Sequence, residues 1–225
     1  MENIKIVDFC SYFGEKELLE ARINYLYDYV DKFIISEIVN PNLESQLEFS
    51  NIDDSLNKIQ IIRMNLFSIL DTDKERIQRD ALLSVLHRFD EETIFIVSDD
   101  CEVIDRTIID YYLRNIQKLP EKILRIPMVF LGNETTLRVC DDYQNDIAWN
   151  CPFMCNKSKF DNLTPSKIRD SIVQKTKETS NLDIFIVDNG VNQDAGWNFK
   201  LVGKNIDHLN YKFKAYTNFV PFIYN

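Results

Sequence analysis

The chain has 225 residues, of which 45% are hydrophobic and 28% are charged, and this composition excludes disordered and collagen-like classes. Its 26 basic and 36 acidic residues give a net charge of −10, which argues against nucleic acid or an anionic membrane surface as a partner. The length predicts a single domain over residues 1–225. No apolar run is long enough for a membrane span and no signal peptide is visible, so we expect a cytoplasmic protein.

Short strand-like runs alternate with helical runs along most of the chain. The pattern predicts strands at residues 4–9, 32–37, 58–63, 93–98, 123–131, 182–187 and 197–202. It predicts helices at residues 15–29, 73–89, 105–117 and 205–217, a further helix that opens at Thr164 and Pro165, and an irregular stretch at residues 133–163. Strands that alternate with helices predict an α/β fold with a mostly parallel sheet and right-handed crossovers.

An acidic cluster follows the apolar strand predicted at residues 93–98. It reads Asp99-Asp100-Cys101-Glu102. Parallel sheets bind ligands beyond the carboxyl ends of their strands, and carboxylates at such an end suit Mg²⁺ or Mn²⁺ on a diphosphate. The alternative is a solvated turn in which Asp99 caps the next helix, and spacing alone leaves both interpretations open.

The helix predicted at residues 73–89 brings polar groups toward the same edge of the sheet. Its N-terminus is expected there because the helix runs antiparallel to the strand that follows it. Glu75 and Gln78 share a face with the apolar Leu82, and Arg79 lies on the flank of that face. Polar groups that point inward need partners, so the pattern indicates either a ligand or an internal polar network.

Arg22 lies on the apolar face of the first helix, between Leu18 and Leu26. A guanidinium in such a position must be paired or must reach a phosphate. Glu37, at the end of the second strand, is a possible structural partner. The spacing favours this structural ion pair over direct contact with a ligand.

The segment Gly196-Trp197 and the two histidines complete the set of candidates. Glycine ahead of tryptophan at the start of a strand allows the backbone to approach a neighbour or a ligand closely. The favoured interpretation is a core Trp197 with Gly196 as a turn, and the alternative is a Trp197 that stacks on a sugar or base. His87 and His208 have no nucleophile motif around them, so we expect both to be structural or exposed.

Four segments, in order from residue 5 to about 219, resemble the family 17 glycosyltransferases, the β-1,4-N-acetylglucosaminyltransferase type that adds a bisecting GlcNAc to N-glycan core mannose. The opening IVDFCSYFGEKELLEARINYLYDYVDKFIISE is similar to the family's E-L-D-L-L-E-x-R-L-x-E-L pattern. ERIQRDA resembles E-x-x-Q-R-N-A, IFIVSDDCEVI resembles I-x-L-I-S-D-V-D-E-I-P, and AGWNF resembles A-G-W-H-F.

The resemblance implies a GT-A-like, Rossmann-like nucleotide-binding sandwich that transfers a sugar with inversion from a nucleotide-sugar, most simply a UDP-sugar, to a glycan acceptor. It implies a divalent cation, Mn²⁺ or Mg²⁺, held by Asp99 and Glu102. The residues implied for the nucleotide-sugar site are Arg22, Glu75, Gln78, Arg79 and Asp100, with Trp197 and Asn198 on the sugar or acceptor side. Asp194 is the candidate general base, and Asp188 and Glu134 are its alternatives.

Two departures from the family pattern bear on the metal. Cys101 stands where the family has a second aspartate, and Asn198 stands where it has histidine. A neutral thiol is a poor ligand for Mn²⁺ or Mg²⁺, so the departures predict altered or weak metal use, a different donor or lost catalysis. The main alternative is therefore a module of the same fold that binds nucleotide or glycan without transfer. Another nucleotide-using enzyme, such as a nucleotidyltransferase, is a further alternative, and the sequence indicates no oligomeric state.

Overall fold

A computed structural model of the chain describes residues 5–39, 47–49, 52–66, 71–106, 109–118, 121–131, 148–149, 152–174, 184–186 and 195–199. The first half contains β1 (Ile6–Tyr12), α1 (Lys16–Leu26), β2 (Lys32–Ile38), β3 (Ile59–Met64), α2 (Asp71–Asp80) and β4 (Ile94–Asp99). The second half contains β5 (Glu102–Ile104), α3 (Ile109–Lys118), β6 (Ile123–Arg125), β7 (Met128–Phe130), β8 (Ala148–Trp149), β9 (Phe153–Asn156), α4 (Pro165–Gln174), β10 (Ile184–Ile186) and β11 (Gly196–Asn198). The helix predicted at residues 205–217 lies outside the described residues. None of the helices within the described ranges has the length and apolar character needed to cross a membrane.

Seven strands form the central sheet in the order β10-β6-β9-β4-β1-β2-β3. Neighbouring strands are parallel except where β9 pairs with β4 and with β6. The predicted α/β class is confirmed, as is the mostly parallel, Rossmann-like arrangement of the sheet. The carboxyl ends of the parallel strands β1, β2 and β4 lie at one edge, which is where such sheets place their ligands.

Two apolar layers cover the two faces of the central sheet, because successive side chains of a strand point to opposite faces. In β4, Ile94 and Ile96 join the layer that contains residues of α1 and α3. Phe95 and Val97 join the layer that contains residues of α4 and of the segment after α2. The same alternation directs Asp99 toward the layer of α2 and α4.

A second sheet of four short strands, in the order β5-β11-β7-β8, includes the end of the acidic segment. β5 begins at Glu102, so the chain continues as a strand after the turn at residues 100–101. β11 runs antiparallel to β5 with Asn198 opposite Glu102. A Cβ atom on Gly196 would lie 2.3 Å from the carbonyl oxygen of Val103, so the close approach of these strands requires glycine.

The helix predicted at residues 73–89 is shorter than expected. α2 ends at Asp80, and residues 81–84 and 86–88 form 3-10 turns. The Asp80 carboxylate accepts hydrogen bonds of 2.8 Å from both the backbone nitrogen and the hydroxyl of Ser166, which ties this end of α2 to the start of α4. The tighter turns still bury Leu82 and Val85 against the sheet.

Two predictions of secondary structure in the second half of the chain are wrong. The strand expected at residues 123–131 divides at Ile126 and Pro127 into β6 and β7, which belong to different sheets, because proline cannot donate to a strand ladder. The stretch expected to be irregular contains β9, where Phe153 and Met154 are fully buried between β4 and β6. A run of four residues carries too short a pattern to be recognised as a central strand.

The start of α4 confirms the predicted cap. Pro165 is the first residue of the helix, and the Thr164 hydroxyl accepts a hydrogen bond of 3.3 Å from the backbone nitrogen of Lys167. The hydroxyl thereby satisfies one of the backbone donors that a helix leaves without an internal partner in its first turn. α3, at Ile109–Lys118, overlaps the helix predicted at residues 105–117.

Candidate functional site

The acidic segment lies at the carboxyl edge of the central sheet, where the sequence predicted it. Asp99 is the last residue of β4, Asp100 follows, and Glu102 begins β5. The three residues are only 3%, 1% and 0% exposed. The segment is therefore a buried ionic centre and not a solvated turn, and its carboxylates need partners within the protein.

Arg169 of α4 joins Asp99 to Glu102. Its Nη2 atom lies 2.8 Å from Asp99 Oδ2 and 2.6 Å from Glu102 Oε1, and its Nη1 atom lies 3.0 Å from Glu102 Oε2. Glu102 Oε2 also accepts a hydrogen bond of 2.7 Å from the backbone nitrogen of Asp99. Bidentate arginine–carboxylate contacts are strong and directional, so Arg169 holds the two carboxylates in one geometry.

Arg79 of α2 is a second cation on Asp99. Its Nε and Nη2 atoms lie 3.3 and 3.1 Å from the two carboxylate oxygens, and Nη2 lies 3.4 Å from Glu75 Oε2. The Arg79 side chain is 15% exposed, and its guanidinium carbon lies 5.6 Å from the ring centre of Phe13, a residue that is 40% exposed. Arg79 thus extends from the buried centre to the surface, and two predicted site residues, Glu75 and Arg79, meet there.

Sequence reasoning did not single out Arg169. The available signal was its place on the buried face of α4, one residue after Ile168 and three before Ile172. A guanidinium on such a face requires carboxylates. Its partners are 67 and 70 residues away in the chain, so only the fold shows which carboxylates these are.

Arg22 forms a buried ion pair with Asp8 of β1, which corrects the expectation that Glu37 is its partner. Nε lies 3.0 Å from Asp8 Oδ2, and Nη2 lies 2.5 Å from Asp8 Oδ1. Asp8 points toward α1 because it lies on the same face of β1 as Ile6 and Cys10, which pack there. Glu37 pairs instead with Arg63, its cross-strand neighbour on β3, at 3.1 Å.

The same guanidinium holds the backbone of the acidic segment. Arg22 Nη1 donates hydrogen bonds to the carbonyl oxygens of Asp99 at 2.8 Å and Glu102 at 2.5 Å, and Nη2 donates to Ser98 Oγ at 2.5 Å. Arg22 is 1% exposed. These contacts agree with a structural role, in which Arg22 shapes the turn between β4 and β5.

Asp100 binds the loop between β1 and α1. Its Oδ2 atom accepts hydrogen bonds from the backbone nitrogens of Phe13 at 2.7 Å and Glu15 at 3.1 Å. Between them, Gly14 has a φ of +109°, in the left-handed region that favours glycine. Burial raises the pKa of Asp100 to about 6, against the opposing effect of the two backbone hydrogen bonds.

Gln78 joins the carboxyl ends of β1 and β2. Its Nε2 atom donates hydrogen bonds to the carbonyl oxygens of Tyr12 at 2.6 Å and Ser36 at 2.8 Å. Gln78 is 1% exposed, so its amide belongs to an internal polar network. By these contacts it fixes the strand ends from which the site is built.

Asn198 and Trp197 lie on opposite faces of the second sheet. Asn198 is fully buried, opposite Glu102 in the pairing of β5 and β11. Trp197 lies opposite Val103, and its ring meets that of Tyr25 in α1 edge-on, with 6.5 Å between ring centres. Asn198 is therefore placed beside the acidic centre, whereas Trp197 packs against α1.

The predicted general base, Asp194, lies outside the described residues, and so do its alternatives Asp188 and Glu134. His87 is exposed, as expected, and His208 lies outside the described residues. The roles of Asp194, Asp188 and Glu134 stay predictions.

The carboxylates of the centre do not fit a divalent cation. Hard cations take several oxygen ligands, and here the oxygens of Asp99 and Glu102 face Arg169 while Asp100 accepts two backbone N–H groups. Cys101 adds a thiol in place of an oxygen. Within the ranges that the structure describes, no three or more histidine, cysteine, aspartate or glutamate side chains are arranged to hold a metal ion.

Fold and site together define an α/β protein with a buried ionic centre at the carboxyl edge of a Rossmann-like sheet. No known family model matches the sequence, and no curated protein matches it either. Membership of family 17 of the glycosyltransferases therefore stays a prediction.

Solved structures of similar fold include three that cover most of this chain. A 4-diphosphocytidyl-2C-methyl-D-erythritol synthase is 12% identical over 83% of this chain and 91% of its own, with a TM-score of 0.45. A mannose-6-phosphate isomerase from Helicobacter pylori is 12% identical over 83% and 87%, with a TM-score of 0.41. The galactosyltransferase LgtC, in complex with donor and acceptor sugar analogs, is 9% identical over 81% and 73%, with a TM-score of 0.41. Similarities at these sequence identities and TM-scores do not identify a family.

Proposed function

We propose that this protein is a glycosyltransferase that moves a sugar, with GlcNAc as the first candidate, from a nucleotide-sugar to a glycan acceptor in the cytoplasm. The observation that carries the proposal is that three separate sequence motifs converge on one centre. Arg79 from α2 reaches Asp99 at the end of β4, and Asn198 from β11 lies opposite Glu102. These are the segments through which the sequence resembles family 17.

The rim of the centre offers groups suited to a nucleotide-sugar. Phe13 presents a partly exposed ring beside Arg79, and an aromatic face next to a guanidinium can bind a base together with its phosphates. Asp100 and Gln78 hold the loop and the strand ends beneath this rim. A UDP-sugar is the donor that the resemblance favours.

The proposed transfer inverts the anomeric carbon. The acceptor hydroxyl oxygen forms a bond to that carbon as the bond to the diphosphate oxygen breaks, and the bonding electron pair leaves with the diphosphate. The hydroxyl proton passes to a carboxylate base, for which Asp194 is the candidate.

The second candidate function is a module that binds a nucleotide or glycan without transfer. The contacts of Asp99 and Glu102 with Arg169 favour this function, because carboxylates that are paired in this way do not fit a divalent cation. Such a module would bind a nucleotide-sugar and leave it intact. A measurement of turnover therefore separates the two functions.

The test is a transfer assay with a panel of nucleotide-sugars and a glycan array that includes N-glycan cores and bacterial polysaccharides. We expect one donor to be consumed, with release of its nucleoside diphosphate and a product of inverted anomeric configuration by NMR. Asp99→Asn should abolish release, whereas Asp90→Asn, at an exposed ion pair, should leave the rate unchanged. Binding of a donor without its consumption would favour the binding module, and neither binding nor consumption would refute both functions.

A further inference from the structure

We propose that Arg79, supported by Arg169, takes the place of a divalent cation, so that the site binds the diphosphate of its donor without metal. This inference rests on the proposed function and deepens it, because it assigns the positive charge that a departing nucleoside diphosphate requires. It reverses the role expected for the acidic segment. Asp99 and Glu102 position guanidinium groups in this arrangement and do not serve as metal ligands.

The first support is the charge balance of the centre. Three guanidinium groups, those of Arg22, Arg79 and Arg169, contact three carboxylates, which belong to Asp8, Asp99 and Glu102. Each carboxylate therefore already has a cation at hydrogen-bond or ion-pair distance. A divalent cation would have to displace these arginines, which would leave guanidinium groups buried without counter-charges.

The second support is the geometry of Arg79. Asp99 receives its Nε and Nη2 atoms, and this contact aligns the plane of the guanidinium. No hydrogen bond joins Nη1 of Arg79 to any residue in the described part of the chain, and the side chain is partly exposed. Two N–H donors thus stay available on a guanidinium whose other edge is fixed, and paired donors of this kind suit phosphate oxygens.

The third support is the position of Arg79 relative to the surface. It lies beside the ring of Phe13, whose backbone nitrogen is held by Asp100. Arg169 is 5% exposed and contacts Asp99 from α4. Arg79 is therefore the group that a diphosphate entering from the rim would meet, and Arg169 keeps Asp99 in position behind it.

Cys101 agrees with a site that uses no metal. A cation at this turn would require an oxygen ligand there, and the thiol that replaces it is buried, at 5% exposure. Where arginine supplies the positive charge, the side chain at residue 101 has no ligand role. Its main-chain oxygen accepts a hydrogen bond of 2.8 Å from the backbone nitrogen of Phe199, which joins the turn to the end of β11.

The test measures the binding of nucleoside diphosphates by calorimetry, with a panel of UDP, GDP, ADP, CDP and dTDP titrated in EDTA and again in Mn²⁺. We expect one diphosphate to bind in EDTA with a Kd within about twofold of that in Mn²⁺. Arg79→Gln should weaken this binding by about tenfold or more, since it removes a charge-assisted contact, and Arg79→Lys should have an intermediate effect. Arg76→Gln is the matched control, because it removes an exposed arginine from the same helix, and it should change Kd less than about twofold.

Arg169 still pairs with Asp99 in the Arg79 variants, so we expect them to fold, and near-UV circular dichroism checks this. Binding that is more than about tenfold tighter in Mn²⁺ than in EDTA would overturn the inference and leave the proposed function standing. Equal binding by Arg79→Gln and wild type in EDTA would also overturn it. If none of the diphosphates bound in either buffer, the proposed function itself would fail.

Discussion

Asp8 and Arg22 form an ion pair in which neither side chain is exposed, and their closest atoms are 2.5 Å apart. The pair joins the middle of β1 to α1, and through the carbonyl oxygens of Asp99 and Glu102 it also holds the turn that carries the acidic centre. Removing one member would leave a buried charge without its partner, which is more costly than losing the attraction alone.

Asp8→Asn should therefore lower the free energy of unfolding by about 3–5 kcal/mol. Urea unfolding at pH 7 measures the change. Asp90→Asn is the control, because Asp90 pairs with Lys5 at the surface and its loss should cost less than about 1 kcal/mol. If both variants had the same stability, the pair of Asp8 and Arg22 would not hold the turn in the way described.

Gln78→Glu should destabilise the protein at pH 7, because the new carboxylate would face the carbonyl oxygens of Tyr12 and Ser36 in place of a donor. We expect a loss of about 3 kcal/mol in the free energy of unfolding. The loss should shrink as the pH falls, since a protonated glutamate can donate one hydrogen bond again. Urea unfolding at pH 5 and pH 7 measures this difference.

Glu75→Gln is the control for the Gln78 variant, since it makes the reverse change on the same helix at a side chain that is 43% exposed. It should alter stability by less than about 1 kcal/mol at either pH. A Gln78→Glu protein as stable as the wild type would show that the amide does not join the two strand ends.

Asp100 makes stability depend on pH. Burial raises its pKa to about 6 from an ordinary value of 3.8, so between these values the native state keeps a proton that the unfolded chain has released. The contribution of Asp100 to stability therefore falls as the pH rises from about 4 to about 6, by about 3 kcal/mol.

Asp100→Asn should abolish this contribution, because the amide oxygen can accept both backbone hydrogen bonds without a buried charge. The free energy of unfolding of the variant minus that of the wild type should become more positive between pH 4 and pH 7. Asp170→Asn, which lies at an exposed ion pair, should show no such trend. A difference between Asp100→Asn and wild type that is constant with pH would contradict the assignment.

Gly196→Ala should separate β11 from β5. The added Cβ would lie 2.3 Å from the carbonyl oxygen of Val103, and this neighbour is backbone that cannot rotate away. We expect a loss of about 1–3 kcal/mol in stability, with a weaker near-UV signal because Trp197 moves relative to Tyr25. An unchanged melting temperature and an unchanged near-UV spectrum would show that the strands tolerate the methyl group.

Several features of this protein could be predicted from local sequence patterns. Alternation of strands and helices is visible in short windows, and so are the apolar run that ends at Ser98, the carboxylates after it and the cap at Thr164. They predicted the α/β class, the mostly parallel sheet and the position of the acidic segment at its carboxyl edge. A close approach at Gly196 was one of two interpretations that the sequence left open, because glycine at the start of a strand can also mark a turn.

The pairing of the buried charges depends on the fold of the whole chain. Arg22 pairs with Asp8 and not with Glu37 because the side chain of Asp8 points toward α1, whereas Glu37 faces Arg63 on β3. Arg169 reaches Asp99 and Glu102 across 70 and 67 residues of chain, and no periodic pattern encodes such a contact. The order of the strands and the packing of the helices determine which residue pairs with a buried charge. Both depend on the whole chain and not on a local segment. The position of the acidic segment was therefore predictable from the sequence, whereas its arginine partners were identified only in the fold.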